Sequence, residues 1–133
     1  MMYHQKAIVT RPAAVNTAGM EGCFVTINAA GAVTPAAANT AAASVYGLLN
    51  SCTDEVGGQV SVALPGCDGI HAALVASDST AVTDGALLVL AAGGKVKVGT
   101  TGTVVAVACG AAAAGELVPV RIVEPRTVAA ASA

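Results

Sequence analysis

The chain has 133 residues, enough for one ordinary domain or two very small ones. Apolar residues make up 55% of it and charged residues only 11%, which excludes disorder of the whole chain. The net charge is −2, and six dispersed basic residues exclude a nucleic-acid partner, which would need clustered cations: Lys6, Arg11, Lys95, Lys97, Arg121 and Arg126.

The first twelve residues, MMYHQKAIVTRP, mix apolar and polar side chains and end at a proline. They contain neither a continuous apolar run nor a small-residue cleavage site, so we expect no signal peptide and synthesis in the cytoplasm. We interpret residues 1–12 as an N-terminal arm. Although the mean hydropathy is +0.72, Gly, Pro, Asn or Thr interrupts every long uncharged stretch. No membrane span is therefore expected.

After the arm, short runs rich in Val, Leu and Ile alternate with Gly-containing turns, a pattern typical of β-strands. The clearest runs cover residues 23–27, 95–98, 103–109 and 116–123. Short alanine runs between them are predicted to be loops or single helical turns. Pro119 lacks an amide donor, which favours an edge position or a bulge for the last strand. Residues 125–133 are interpreted as a flexible C-terminal tail.

An internal repeat organises the chain between arm and tail. The segment from Glu21 to Val33 aligns without a gap with the segment from Asp84 to Val96, 63 positions later. Further on, VYGLL from Val45 aligns with VVAVA from Val104, and the strand around Val60 aligns with that around Val118. We predict a single β domain at 13–124 with pseudo-repeats at about 13–65 and 71–124.

Each repeat alone would bury little apolar surface, so the two halves are expected to share one core. The predicted fold is therefore all-β: a small β-barrel or β-sandwich built from two pseudo-repeated halves, with little helix. Because only 2% of the residues are aromatic, this core is thin, and we expect the protein to form oligomers.

Residues that could perform chemistry are few. The four cysteines (Cys23, Cys52, Cys67 and Cys109) have no metal-ligand spacing and small or apolar neighbours, which predicts buried free thiols. No established catalytic or nucleotide-binding motif is present. Asp78 and Asp84 bracket hydroxyl residues in SDSTAVTDG, which is either an oxygen-rich Ca²⁺ loop or an ordinary polar loop. We predict no enzyme activity, no cofactor and no metal.

The second repeat resembles the capsid cement, or head-decoration, proteins of tailed bacteriophages. The similarity lies in TAVTDGALLVLAAGGKVKV (80–98) and TGTVVAVACGAAAAGELVPVRIV (101–123). In that family a strand of the form G-x-Φ-Φ, where Φ is apolar, leads to a glycine turn. The pattern V-x-G-V-A-x-x-A-A-A-G-E-x-V-x-V then follows. Here Ala106 stands where the family often has glycine.

This resemblance implies a small β-protein, often trimeric, that binds the outside of an assembled phage head. Its partners would be the major capsid protein and other copies of itself, it would have no catalytic residues, and its location would be the capsid outer surface of the virion. The arm is the expected contact segment, with candidate interaction residues Met1, Met2, Tyr3, His4, Gln5 and Lys6; a free disordered arm is the alternative. The alternative function is a β-rich host-surface or saccharide-binding module displayed on a virion.

Overall fold

The computed structural model describes residues 8–66 and 69–129, which form ten β-strands and two short 3₁₀ turns. No α-helix occurs within these two ranges. The strands are β1 (Ile8–Pro12), β2 (Phe24–Ile27), β3 (Val33–Pro35), β4 (Gly47–Leu49), β5 (Gln59–Ala63), β6 (His71–Leu74), β7 (Leu87–Leu90), β8 (Val96–Val98), β9 (Gly102–Ala108) and β10 (Leu117–Val128). The 3₁₀ turns are η1 (Ala42–Ser44) and η2 (Ala92–Gly94). The predicted all-β class with little helix is confirmed.

The strands form two five-stranded antiparallel sheets with the same internal order, β1-β5-β4-β2-β3 and β6-β10-β9-β7-β8. Each strand of the first sheet corresponds to the strand numbered five higher in the second sheet, so the two sheets have the same topology. The first sheet takes all its strands from residues 8–63, which we call the first half, and the second from residues 71–128, the second half. The predicted construction from two repeated halves is therefore confirmed.

The strand register agrees with the sequence alignment of the repeats. Phe24 of β2 pairs with Leu48 of β4, and their aligned counterparts Leu87 and Val107 pair in the second sheet. The turn before each of these strands is repeated as well, since the amide of Gly22 donates to Leu49 as that of Gly85 donates to Ala108. The two halves thus correspond residue by residue along β2 and β4.

Each sheet curls until its two edge strands meet. A single parallel bridge joins Ala13, just after β1, to Val33 of β3, and a matching bridge joins Val75 to Val96 in the second half. Glycine turns with positive φ allow the tight reversals between strands, as at Gly115, where φ is 83°. Two partly closed barrels result, each made from one continuous stretch of chain.

Two apolar clusters fill the molecule. The smaller one lies within the first barrel and contains Ala13, Val25, Val33, Leu49, Val60 and Val62. The larger one fills the second barrel with residues such as Leu88, Val105 and Val120, and continues into the first half through Phe24, Leu48 and Ala63. The halves therefore share one core, and the shared part comes from the first sheet.

The structure differs from the predicted arm and tail at their inner ends. Residues 8–12 form β1, because their backbone pairs with β5 along its whole length, and residues 125–128 continue β10 beside β9. Pro119 lies in β10 between β6 and β9, at neither an edge nor a bulge. Its carbonyl accepts from the amide of Cys109, the first residue after β9, so the missing proline amide removes one bond only at the end of the β9–β10 ladder, and Gly110 leaves room for its ring.

Candidate functional site

The two surfaces of each sheet differ because side chains alternate along a strand. We call the surface that points into its own barrel the inner face and the opposite surface the outer face. In the first half, Val25, Leu49 and Val62 belong to the inner face. Phe24 and Leu48 alternate with Val25 and Leu49, and so belong to the outer face together with Ala63, which pairs with Leu48.

The outer face of the first half is covered by the second half. Phe24, Leu48 and Ala63 are fully buried in the larger cluster, and Val45 beside them is only 8% exposed. η2 lies directly against the backbone of Phe24. A buried hydroxyl adds a polar link, since Thr103 Oγ1 donates to the carbonyl oxygen of Thr40 at 2.7 Å. This surface is the internal interface of the molecule.

The outer face of the second half is open and forms a cavity of about 530 Å³, which we call the outer pocket. Aliphatic side chains form its floor, and two arginines and a glutamate stand at its wall. Its lining residues are Leu87, Val104, Val107, Arg121, Val123, Glu124, Pro125 and Arg126. Leu87 and Val107 are half-buried and Arg121 is exposed. The floor can bind apolar groups, and the wall adds charge-assisted hydrogen bonds.

A bulge in β10 shapes the wall of the outer pocket. Ile122 pairs with Ala106 and Arg126 pairs with Val104, so residues 123–125 stand opposite the single residue Val105. Extra residues on one strand bend it and redirect its side chains. Pro125 suits this position because no backbone hydrogen bond is required of it. The bulge therefore places Glu124 and the residues beside it at the wall of the pocket, next to the apolar floor.

The predicted contact segment precedes β1 in the chain. Met1, Met2, Tyr3, His4, Gln5 and Lys6 lie outside the described residues. The described chain starts at Ile8 in β1, an edge strand of the first sheet. Any contact made by this segment therefore starts from a sheet edge.

Within residues 8–66 and 69–129, no three or more His, Cys, Asp or Glu side chains are grouped so that they could hold a metal ion. In the candidate Ca²⁺ loop, the Ser79 hydroxyl serves the backbone: it donates to the carbonyl of Thr80 and accepts from the amide of Val98. The same ranges contain no helix that is long and apolar enough to cross a membrane.

The prediction of buried thiols is correct only in part. Cys23 is buried and free, whereas Cys52 and Cys109 are free and exposed because each follows the end of a central strand. Burial raises the pKa of the Cys23 thiol, and the positive charge of Lys95 opposes that rise. Cys67 lies outside the described residues.

Thiol labelling should separate these cysteines. In the native protein we expect Cys52 and Cys109 to react readily with a maleimide, while Cys23 reacts more slowly by a factor on the order of 10³ or more, because it waits for the core to open. Peptide mass spectrometry over a labelling time course measures the three rates, with the urea-unfolded chain as control. Rapid native labelling of Cys23 would contradict the packing around β2.

Sequence reasoning did not identify the outer pocket, although the repeat contains a signal for it. Ala63 and Arg121 occupy matching places, since each pairs with a counterpart residue, Leu48 or Val107, on the neighbouring strand. A small apolar residue in one repeat and an arginine in the other indicate that the same surface is buried once and exposed once.

The chain was also compared with known proteins. No protein-family model matches it, and no curated protein is significantly similar to it.

Proposed function

We propose that this protein is a capsid decoration protein of a tailed bacteriophage, which binds the outer surface of the phage head and braces neighbouring major capsid subunits. It acts there as a homo-oligomer, expected to be a trimer from the family resemblance, and its residues 1–6 contact the shell. It is a structural component of the virion, made in the host cytoplasm, without catalytic activity or cofactor.

The observation that carries this proposal is what the resembling motif does in the fold. Its AAAAGE portion forms the turn before β10, where the Glu116 carboxylate accepts a 2.8 Å hydrogen bond from the Ala113 amide. Gly115 supplies the positive φ that this turn needs. Val118 and Val120 then point into the barrel and are fully buried. These positions of the motif set a turn or fill the core, so the motif bears directly on the fold.

The attachment of the arm supports its assignment as the contact segment. β1 is an edge strand that pairs with β5, and residues 1–7 continue from its start. Exposed sheet edges are places where another chain adds a strand or lays down an extended peptide. An arm that leaves such an edge can lie along a neighbouring subunit while the barrels stay folded.

Small interfaces suffice for this function. When one assembled unit contacts several shell subunits at once, each later contact forms at high effective concentration. Because only 11% of the residues are charged, few charged side chains lose their hydration when the protein binds another surface, and the desolvation cost of binding is small. Many modest contacts can thus hold a shell together without a deep site.

Binding to phage heads tests the proposal. Purified protein is mixed with empty expanded heads assembled from the major capsid protein encoded in the same genome, and the heads are sedimented. We expect saturable co-sedimentation and a higher rupture temperature of the decorated heads. A variant in which residues 2–6 are replaced by Gly and Ser should keep its own thermal unfolding transition and lose binding.

Two results would contradict the proposal. If the protein fails to co-sediment at every salt concentration, it is not a decoration protein, and binding on a glycan array would then favour the saccharide-binding alternative. If the Gly/Ser variant binds as well as the natural chain, residues 1–6 are not the contact segment.

A further inference from the structure

We propose that the outer pocket of one molecule receives the first half of a second copy, repeating between molecules the packing that joins the two halves within one chain. The interface is head-to-tail: the second half of one copy meets the first half of the next. This interface specifies which surfaces, and in which orientation, would form the homo-oligomer of the proposed function.

The pocket floor repeats the internal interface position by position. The internal interface contains Phe24, Val45, Leu48 and Ala63. The outer pocket contains their counterparts in the same order, Leu87, Val104, Val107 and Arg121. The strand pairings place Leu87, Val107 and Arg121 without any choice of alignment, and Val104 follows from the sequence repeat. The same surface is thus present twice: it is covered in the first half, whereas in the second half Leu87 and Val107 are half-buried, Arg121 is exposed and only Val104 is fully buried.

The complementary side of the internal interface is repeated too. Within the chain, Gly94 lies against the backbone of Phe24, and Leu90 is buried in the same cluster. Their counterparts in the first half are Gly31, which has open space around its α-carbon, and Ile27, which is 37% exposed. A first half therefore presents the surface that an outer pocket would cover.

The matching surfaces lie on different halves, so the contact is heterologous. Such contacts continue from copy to copy until they close into a ring or extend as a filament. Because each chain contributes two halves of the same topology, a ring of n chains contains 2n similar barrels. The trimer expected from the family resemblance corresponds to a closed ring of three chains.

Arg121 makes this contact differ from the internal one. Its counterpart Ala63 is fully buried, whereas a guanidinium must stay hydrated or find an anionic partner. Its apolar stem can pack on the neighbour while the charge remains at the rim beside Glu124. We therefore expect association between copies to be reversible and weaker than the packing between halves.

The biological meaning of this contact rests on the proposed function, but its test requires no phage head. A protein that assembles through this surface and ignores heads would overturn the proposed function alone. One that binds heads as a monomer would overturn the head-to-tail contact and the homo-oligomer, but not the binding to phage heads.

Sedimentation velocity of the full chain over a range of concentrations tests the inference. Val107→Glu places a carboxylate on the pocket floor, Ile27→Glu does so on the complementary side, and Val56→Glu is the matched control at a 73% exposed valine in the turn before β5. The natural chain and the control should assemble. Each face variant should show at least about a hundredfold weaker association, since an unpaired carboxylate resists burial.

Mixing the two face variants identifies the orientation. Each retains the surface that the other has lost, so a 1:1 mixture should form heterodimers that grow no further. Folding is checked by thermal unfolding, and Leu87→Lys replaces Val107→Glu if that variant unfolds. The inference is overturned if the natural chain is monomeric at all concentrations, if both pocket variants assemble normally, or if the mixture gives no heterodimer.

Discussion

Replacing Gly94 by alanine is expected to lower the free energy of unfolding by about 2–5 kcal/mol. The residue has a φ of 80°, which a side chain adopts only with strain. An added Cβ would also overlap the carbonyl oxygen of Phe24 and lie 3.1 Å from its amide nitrogen. Backbone atoms cannot rotate away, so η2 and β2 must separate, and the internal interface loses its packing.

The internal repeat supplies the control for this substitution. Gly31 is the counterpart of Gly94, with a φ of 84° and open space around its α-carbon. Gly31→Ala therefore carries the backbone strain alone, about 1–2 kcal/mol. Urea unfolding followed by far-UV circular dichroism measures both. Equal losses in the two variants would contradict the close approach of η2 to Phe24.

Phe24→Ala is expected to destabilise the protein by about 3–5 kcal/mol. Phe24 is fully buried where the two halves meet, and its ring is the largest side chain among the fully buried residues of the described chain. Truncation leaves a cavity that the rigid sheets on either side can fill only in part. At this chain length each kcal/mol lowers the melting temperature by between about 2 and 8 °C.

Its counterpart in the second half again provides the comparison. Leu87 is half-buried at the floor of the outer pocket, so Leu87→Ala should cost about 1 kcal/mol or less when measured on the monomer. Differential scanning calorimetry at low protein concentration gives both melting temperatures. If the two substitutions cost the same, the outer faces of the two halves are buried alike, and the outer pocket is not an open surface.

Sequence reasoning predicted the parts of the fold that depend on local pattern. The alternation of Lys95 to Val98 and the acid-Gly starts at Glu21 and Asp84 locate strands and turns, because a strand with one wet face and a turn with positive φ each restrict residue type. The repeat predicted that the two halves have one arrangement of strands, as the equal orders of the two sheets confirm, but it did not predict that β2 pairs with β4 and β7 with β9.

Features that depend on long-range packing were not predictable in this way. Pro119 suggested an edge, yet β10 is central, because the missing donor falls opposite Cys109, just past the end of β9, and removes only one bond at the end of the ladder. Cys52 and Cys109 have small neighbours in sequence but lie just beyond strand ends, where the sheet no longer covers them. The position of Pro119 and the exposure of the two cysteines depend on where a neighbouring strand ends, and the local sequence does not predict that.

The candidate site shows the same division. The aliphatic residues of the outer pocket, such as Leu87 and Val107, look in sequence like any core residue of a strand. Only the packing of the first half onto the second reveals that one outer face is covered and the other is not. The contact segment was predicted from the resemblance of the second half, and residues 1–6 lie outside the described structure.

Because each sheet is built from one continuous stretch of chain, the order of synthesis matters for how the protein reaches its native state. The first barrel has all its strands once Ala63 has left the ribosome, and its own cluster can close before the second half exists. Until then Phe24 and Leu48 have no cover. A nascent chain therefore passes through a stage in which the apolar outer face of its first half is exposed. The second half of a completed neighbouring chain can cover that face, which would be a domain swap.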